Sequence, residues 1–326
     1  MSSTTEMRYV NAVTQALRDS MEQDPTVVVL GEDVANAGGS FKATRGLLDT
    51  FGAQRVIDTP ISESSITSAA VGMALTGLKP VVEIMFMDFI TLSMDALVNQ
   101  AAKARYMFGG QGSVPMVLRT PHGGGLSAGP QHSQCLEAWL AHIPGLKVVC
   151  PSNPQDAYSL LRAAIADPDP VMFIEHKALY AAKGPVDTTQ TDRIGTARIA
   201  RAGRDVTLVT YGATVSVCLK AAAELAKEGV ETEVIDLRSL QPWDKAAVLE
   251  SLSRTHRAVV VHEAVQAFGV GAEIVATIAD EGFDELDAPV LRVAAPFMPA
   301  PFASSLEKGY VVTVERVIDA VRKTLA

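Results

Sequence analysis

Asp58-Thr59-Pro60-Ile61-Ser62-Glu63 follows the short apolar run Arg55-Val56-Ile57 and opens onto Ser64-Ser65-Ile66-Thr67-Ser68-Ala69-Ala70-Val71-Gly72-Met73-Ala74. A β-branched strand, a turn and a helix of small side chains make one strand–helix unit of an α/β sheet. A helix of such residues can pack closely on all sides, so its first turn is expected to be buried, and Glu63 with it. Burial makes a carboxyl group hold its proton more tightly, because desolvation disfavours the charged form. That suits a general acid/base working near neutral pH. A plainer reading is open at the same position: an acid in the first turn of a helix meets the positive end of its dipole.

The alternation continues on both sides of this stretch. Buried strands are expected at residues 26–30, 55–57, 80–84, 114–118, 146–149 and 171–174, with helices at 9–21, 90–106 and 154–166 between them. Asn153 is a candidate cap for the last of these, and Pro154 suits its first turn. From about His176 the periodicity fades into polar, Gly- and Pro-containing sequence. A second series then places strands at 206–211, 233–236, 258–261 and 290–293, and helices at 214–227, 245–252, 270–280 and 314–325. Strands that alternate with helices in this way favour parallel sheets covered on both faces. The expected organisation is α/β with two doubly wound domains, residues 1–185 and 205–326, joined by a linker at 186–204.

A length of 326 residues accommodates two such domains without disulfides or metals. Hydrophobic residues make up 48% of the chain and aromatics only 6%, so much of the apolar content is Ala and Val, as tightly packed helices on a parallel sheet require. The net charge of −9 argues against nucleic-acid binding, which needs Lys and Arg to neutralise phosphates, and against a polybasic membrane contact. Cys135, Cys150 and Cys218 are scattered, with no Cys-x-x-Cys pair, which points to thiols in a reducing compartment. The first residues lack the basic and apolar regions of a secretory signal, and no apolar run approaches the roughly 20 residues that cross a bilayer. A soluble, cytoplasmic protein is expected.

Several short motifs each admit two readings. Gly269-Val270-Gly271-Ala272-Glu273 resembles a dinucleotide fingerprint, but Ile274 stands at the third glycine position, and a plain helix start is expected. Gly123-Gly124-Gly125 follows the carboxyl end of a strand, where ligands bind in open α/β sheets, but no Gly-Lys-Ser or Gly-Lys-Thr follows it. It reads as a mobile loop beside a site, with His122 reaching a substrate or standing in solvent. No histidine pair has His-x-x-x-His spacing, so a histidine metal site is not expected. His132, in Gly129-Pro130-Gln131-His132-Ser133-Gln134, lies at a loop-to-helix junction, where it could donate a proton to substrate or cap the helix. Asp167-Pro168-Asp169-Pro170 is either a polar helix stop or a cation site made of carbonyls and a carboxylate.

Together these segments resemble the β subunit of the E1 component of 2-oxo acid dehydrogenase complexes, in the thiamine-diphosphate, transketolase-like superfamily. The resemblance is carried by Leu30-Gly31-Glu32-Asp33-Val34, Asp58 to Glu63, Glu83 to Phe89, Asn99 to Lys103, Gln131 to Gln134, Pro144 to Val149 and Phe268 to Glu273. It implies a thiamine-diphosphate pyrimidine-binding domain followed by a transketolase C-terminal-like domain. It also implies that Glu63 hydrogen-bonds the cofactor's aminopyrimidine ring and helps remove the proton from its thiazolium carbon. By the same resemblance, Phe89 packs on that ring beside Met85, and His132 helps transfer the acyl group to a lipoyl arm. Phe86, His122 and Leu126 would line the substrate pocket. Met116, Ala164, Ile165, Asp167 and Asp169 fall where some members bind K+, with Asp169 standing in place of a common amide. Superfamily members hold Mg2+ and the diphosphate with Gly-Asp-Gly and a later Asn, and no Gly-Asp pair occurs in these 326 residues. No Mg2+ ligands are therefore expected in this chain, and an α subunit would supply them in an α2β2 heterotetramer. The implied activity is that of an oxidoreductase that decarboxylates pyruvate or cleaves acetoin and acylates the lipoyl group of an E2 partner. A branched-chain 2-oxo acid enzyme, or half of a split transketolase-like synthase, is the alternative.

Overall fold

The computed structural model describes residues 4–326, which form two compact units. Unit 1 comprises residues 4–122 and 139–194; unit 2 comprises Gly123–Ala138 and Gly195–Ala326.

Unit 1 is built on a parallel sheet. In chain order its strands are β2 (Val27–Gly31), β3 (Val56–Asp58), β4 (Lys79–Glu83), β5 (Val117–His122), β6 (Lys147–Val149) and β7 (Val171–His176), lying side by side as β6-β7-β5-β4-β2-β3. A two-stranded antiparallel ribbon pairs β1 (Thr5–Arg8) with β8 (Lys183–Val186). The chain runs from β2 outward to β3 and then returns to place β4 on the other side of β2, which makes the β2/β4 boundary the topological switch point. There Gly31 lies opposite Asp58 on one side and Glu83 on the other, and Glu83 lies opposite Arg119. Open α/β sheets bind ligands in the crevice beyond such carboxyl ends. A Cβ on Gly31 would lie 2.5 Å from the Glu83 carbonyl oxygen, so only glycine lets the two strand ends come this close.

Helices α1 (Tyr9–Gln23), α3 (Glu63–Leu75) and α6 (Pro154–Ala166) flank the sheet. Asn153 caps α6 by accepting from the Asp156 amide, with Pro154 at the first position. Helix α3 is not packed on all sides within this chain. Ile66, Thr67, Ala70, Val71 and Ala74 are buried, whereas Ser64, Ser65, Ser68, Ala69 and Gly72 form an open face and Ile61 just before it is 82% exposed.

The single helix expected at 90–106 is instead three segments: a 3-10 helix Met87–Ser93, a π-helical stretch Ala96–Ala101 and α4 (Ala102–Met107). Tertiary contacts pull the two ends in different directions. The Ser93 hydroxyl accepts from Thr67 and donates to the Glu63 carbonyl, holding the first segment on α3. Lys103 donates to the Pro144 carbonyl, where the backbone of Gly145 crosses Ala102. Strand β5 begins three residues later than expected, because Pro115 offers no N–H and the Met116 amide turns back to the Val114 carbonyl.

Unit 2 carries the order β14-β13-β10-β11-β9, from β9 (Arg198–Arg201), β10 (Val206–Thr210), β11 (Thr232–Asp236), β13 (Ala258–Val265) and β14 (Leu291–Ala295), with a short strand β12 (Ser239–Gln241) between β11 and β13 in sequence. All its pairings are parallel except that of β9 with β11. Strand β9 lies in the stretch expected as linker. Helices α7 (Thr214–Ala226) and α11 (Val314–Leu325) cover a core of Val206, Leu208, Leu225, Val259 and Val321. Helix α9 (Val270–Glu281) starts at the Gly-Val-Gly stretch, as expected of a plain helix start. Its glycines make room for the fully buried His262 ring, which a Cβ on Gly271 would approach to 2.5 Å. Burial pushes that imidazole down to about 4.

The units do not follow the expected cuts at 185 and 205. Residues 123–138 cluster with unit 2, where Glu263 and Glu307 receive their amides. Residues 186–194 stay with unit 1, where the Asp187 amide donates to Gln155 and the Thr188 carbonyl accepts from Tyr158.

Gly145 has φ +102°, and a Cβ there would lie 2.0 Å from the Ala102 carbonyl oxygen. A non-glycine residue at such a φ costs about 1–3 kcal/mol before any clash is counted. Gly145→Ala is therefore expected to lower the thermal midpoint by several degrees, given about 2–4 °C per kcal/mol for units of this size. An unchanged midpoint in a melting experiment would refute this account of the helix break.

Candidate functional site

The carboxyl edge of the unit 1 sheet gathers acids on neighbouring strand ends. Glu32 follows Gly31 at the end of β2, and Asp58 ends β3. The Asp58 carboxylate accepts from the amides of Ala35 and Asn36 at 2.6 and 3.3 Å and so fixes the turn that presents Glu32. Glu63, five residues further on, is the first residue of α3 and is buried, 7% exposed. Its position is set through the backbone, since its carbonyl receives the Ser93 hydroxyl at 3.0 Å. No described residue hydrogen-bonds the Glu63 carboxylate. The Glu32 Oε1 is likewise buried without a partner. Desolvation and then the facing Glu63 charge raise the Glu32 pKa above the ordinary carboxylate range, with Asp33 adding to the shift. Two neighbouring acids at a switch point, neither hydrogen-bonded by a described residue, suit a ligand that brings polar N–H groups or protons.

The aromatic side of the site follows β4. Met85 and Phe86 lead into the 3-10 segment that carries Phe89, and the rings of Phe86 and Phe89 meet edge to face at 5.9 Å. Phe41 packs on Phe86 at 5.7 Å and on Tyr180 at 5.0 Å, and the Met85 sulfur accepts from Ser40. The structure thus places Glu63, Met85, Phe86 and Phe89 in one unit, with Ser93 tying the 3-10 segment that carries Phe89 to the first residue of α3. His122, at the end of β5, is buried and stacks edge to face on His176 at 5.2 Å, away from solvent. Leu126 and His132 belong to unit 2. Leu126 is half exposed, and His132 lies in a turn whose amide donates to the Gly129 carbonyl, ahead of the five-residue helix Glu137–Ala141.

Beneath these groups lies a charged cluster that sequence reasoning misses. Arg119 on β5 is 1% exposed; it donates from Nε and Nη2 to Glu175 on β7 at 2.7 and 3.0 Å, and from Nη1 to Glu83 on β4 at 2.8 Å. Tyr180 donates to Glu175 at 2.7 Å. Burial raises the Glu175 pKa, and Arg119 is the main opposing influence. The only sequence signal is a lone charge inside a β-branched run. Glu32 is missed as well, its signal being an acid placed directly after the glycine that ends a strand.

Both acids among the residues expected to hold K+ are ion-paired within the chain. Lys147 donates to both Asp167 oxygens at 2.7 Å and lies 3.8 Å from Asp169. Arg105 donates to Asp169 at 2.5 Å. The Met116 and Ala164 carbonyls accept from the amides of Val171 and Asp167. Side chains of the protein itself thus pair with both carboxylates.

Comparison with known proteins agrees with this geometry. Residues 5–183 match the transketolase pyrimidine binding domain, and residues 195–317 match the transketolase C-terminal domain. The chain is 44% identical over 323 residues to the mitochondrial pyruvate dehydrogenase E1 component subunit beta-2 of Oryza sativa subsp. japonica, covering 98% of this chain and 86% of that one. It is also 44% identical over 328 residues to the acetoin:2,6-dichlorophenolindophenol oxidoreductase subunit beta of Bacillus subtilis (strain 168), covering 97% and 96%. Among solved structures, a split-gene transketolase described as an inactive beta4 tetramer matches with a TM-score of 0.82 over 98% of both chains at 21% identity, a likeness of fold alone.

Removing one partner of a buried charge cluster strands the others, typically at about 3–5 kcal/mol. Arg119→Met is expected to destabilise unit 1 by that order. The sign of its pH dependence follows from the carboxyls it leaves behind. Burial raises the folded-state pKa of Glu175 and the variant removes its main opposing influence, so the folded state binds this proton more tightly than the unfolded one and stability returns as pH falls through the folded pKa. Urea unfolding at neutral pH and near pH 5 should show the deficit shrinking in acid. A deficit that is constant or grows in acid would contradict the cluster's role.

Proposed function

This chain belongs to the family of E1 β subunits of 2-oxo acid dehydrogenases, built from transketolase pyrimidine-binding and C-terminal domains, and on that premise we propose that it supplies the proton-handling half of a thiamine-diphosphate site completed by an α subunit. The observation that carries the proposal is the pair of acids at the switch point, the buried Glu63 and the half-buried Glu32, with no described residue hydrogen-bonding either carboxylate. Thiamine diphosphate, when bound, supplies the nucleophilic carbon and the electron sink for breaking the bond next to a carbonyl. The residues present fit its pyrimidine end: Glu63 offers an unpartnered carboxylate, and Phe86, Phe89 and Met85 offer an apolar flank.

In this reading Glu63 holds the proton exchanged with the aminopyrimidine ring, and positioned proton transfer of this kind contributes roughly 10²–10⁴-fold. Glu32 sits beside it as a second acid whose own pKa is raised by burial and then by the Glu63 charge. Nothing in the 326 residues matches the Gly-Asp-Gly motif for Mg2+ and diphosphate, so those ligands fall to the α subunit, in an α2β2 assembly. The open small-residue face of α3, with Ile61 exposed next to Glu63, supports a neighbouring chain at that end of the helix. The substrate is pyruvate or acetoin, with a branched-chain 2-oxo acid as the alternative; Phe86, His122 and Leu126 contribute to its selection. His132 serves acyl transfer to the lipoyl group of an E2 partner, and the enzyme works in the cytoplasm. The ion pairs of Lys147 and Arg105 leave potassium without a role in this reading.

The test is reconstitution with and without an α subunit, thiamine diphosphate and Mg2+, assayed on pyruvate, acetoin and 2-oxoisovalerate. Turnover is expected only with α present, and tight cofactor binding with turnover by the isolated chain would sink the half-site reading. Glu63→Gln should assemble normally and lose on the order of 10²–10⁴-fold in turnover. Near-normal activity would return Glu63 to the helix dipole.

A further inference from the structure

The loop that carries His132 has no strand or helix of its own before Glu137, yet its backbone is held at successive points by unit 2. The Gly124 amide donates to Glu263 Oε1 at 2.6 Å. The Gly125 amide donates to Glu307 Oε1 at 2.8 Å, and Ser127 donates to Glu307 Oε2 from its amide at 2.8 Å and from its hydroxyl at 3.1 Å. Gly125 and Ser127 have φ of +84° and +54°, which turns the loop's N–H groups inward into a concave, anion-binding nest. The buried Glu307 carboxylate fills that nest. Further along, Gly129 lies under the Phe302 ring, so close that a Cβ there would be 2.3 Å from a ring carbon. The Gly129 carbonyl in turn receives the His132 amide. Beyond His132, the buried Glu137 accepts from the Tyr211 hydroxyl at 2.8 Å. Glu307 and Phe302 belong to one segment, so the hold on the nest and the hold on Gly129 move together.

We propose that Glu307, assisted by Glu263, is a positioning residue for His132, holding the Gly123–Ala138 loop by its amides so that the imidazole stays in place for acyl transfer to the lipoyl group. This rests on the role given to His132 above. A carboxylate is required because it accepts on both oxygens. A glutamine amide keeps one accepting oxygen and turns an NH2 group toward a backbone N–H.

The experiment uses the enzyme reconstituted with its α subunit and measures two reactions on the same preparation: turnover with 2,6-dichlorophenolindophenol as acceptor, and acylation of an isolated lipoyl domain. Glu307→Gln is expected to slow lipoyl acylation on the order of 10-fold while dye-linked turnover stays within about twofold. Amide exchange in the peptide spanning 123–131 should quicken by about the same factor as the lost hydrogen bonds expose it. Glu263→Gln, which loses one bond, should do the same to a smaller degree and stands in if the first variant does not fold. Unchanged lipoyl acylation, or equal loss in both reactions, overturns the proposal. His132→Asn separates the two levels. If the parent acylates no lipoyl domain, or if His132→Asn acylates it normally, the reading of His132 fails and this proposal falls with it. If His132→Asn is defective and Glu307→Gln is not, the carboxylate hold alone is wrong.

Discussion

Arg119 carries a positive charge into a part of unit 1 that water does not reach, and its guanidinium spans three strands. It grips Glu175 with two parallel hydrogen bonds, a geometry that fixes direction as well as distance. The third bond reaches Glu83, the last residue of β4 and the register partner of both Gly31 and Arg119 itself. Everything placed at the carboxyl edge is therefore referred to this one side chain. Glu83 leads into Met85 and Phe86, and a Cβ on Gly39 would lie 2.8 Å from its Oε1, so the loop after β2 is shaped around it. Buried ion pairs are weak sources of net stability, since desolvation cancels most of the attraction. Their value here is geometric: a charged group that accepts only one arrangement holds strand ends in register where hydrophobic side chains would allow slippage.

That rigid floor supports a second charge arrangement of the opposite character. Glu32 and Glu63 are neighbours without an ion pair to any described residue, and burial, then the Glu63 charge, raises the Glu32 pKa. The contrast with the Arg119 cluster is informative. Where the fold needs carboxylates for itself, it surrounds them with guanidinium and tyrosine donors. At the switch point it leaves them bare. Acids left without donors at the head of a sheet mark a place where a ligand can supply what is missing.

Much of this was legible in the amino-acid sequence. The β-branched runs identify nearly every parallel strand to within a residue or two, because a strand covered on both faces must be apolar throughout. Glu63 and its helix are legible for the same local reason. What escaped is what depends on distant partners. The 90–106 segment has the composition of one helix, but Thr67, Pro144 and Gly145 break it into three. The loop at 123–138 reads as a free glycine turn until Glu263 and Glu307, some 140 and 180 residues away in sequence, are seen to hold it. Arg119 looks like an interruption in a strand because neither of its partners is a sequence neighbour. The ion pairs that Asp167 and Asp169 make with Lys147 and Arg105 are likewise invisible to composition.

The position of Glu63 in its helix joins these observations. Helix α3 turns Ile66, Ala70, Val71 and Ala74 toward the sheet and leaves a face of serine, alanine and glycine open. Small side chains on that face let another surface come close, and the acid at the head of the helix sits at the edge of that approach. The Glu63 backbone is fixed from within the chain by Ser93, whereas no described residue hydrogen-bonds its carboxylate. In the proposed reading a cofactor and a partner that bind the folded state meet this carboxylate. Whatever binds the native state and not the unfolded one stabilises it by mass action. In the proposed reading the same carboxylate is the point where cofactor binding and assembly meet, so each stabilises the folded subunit that the other uses.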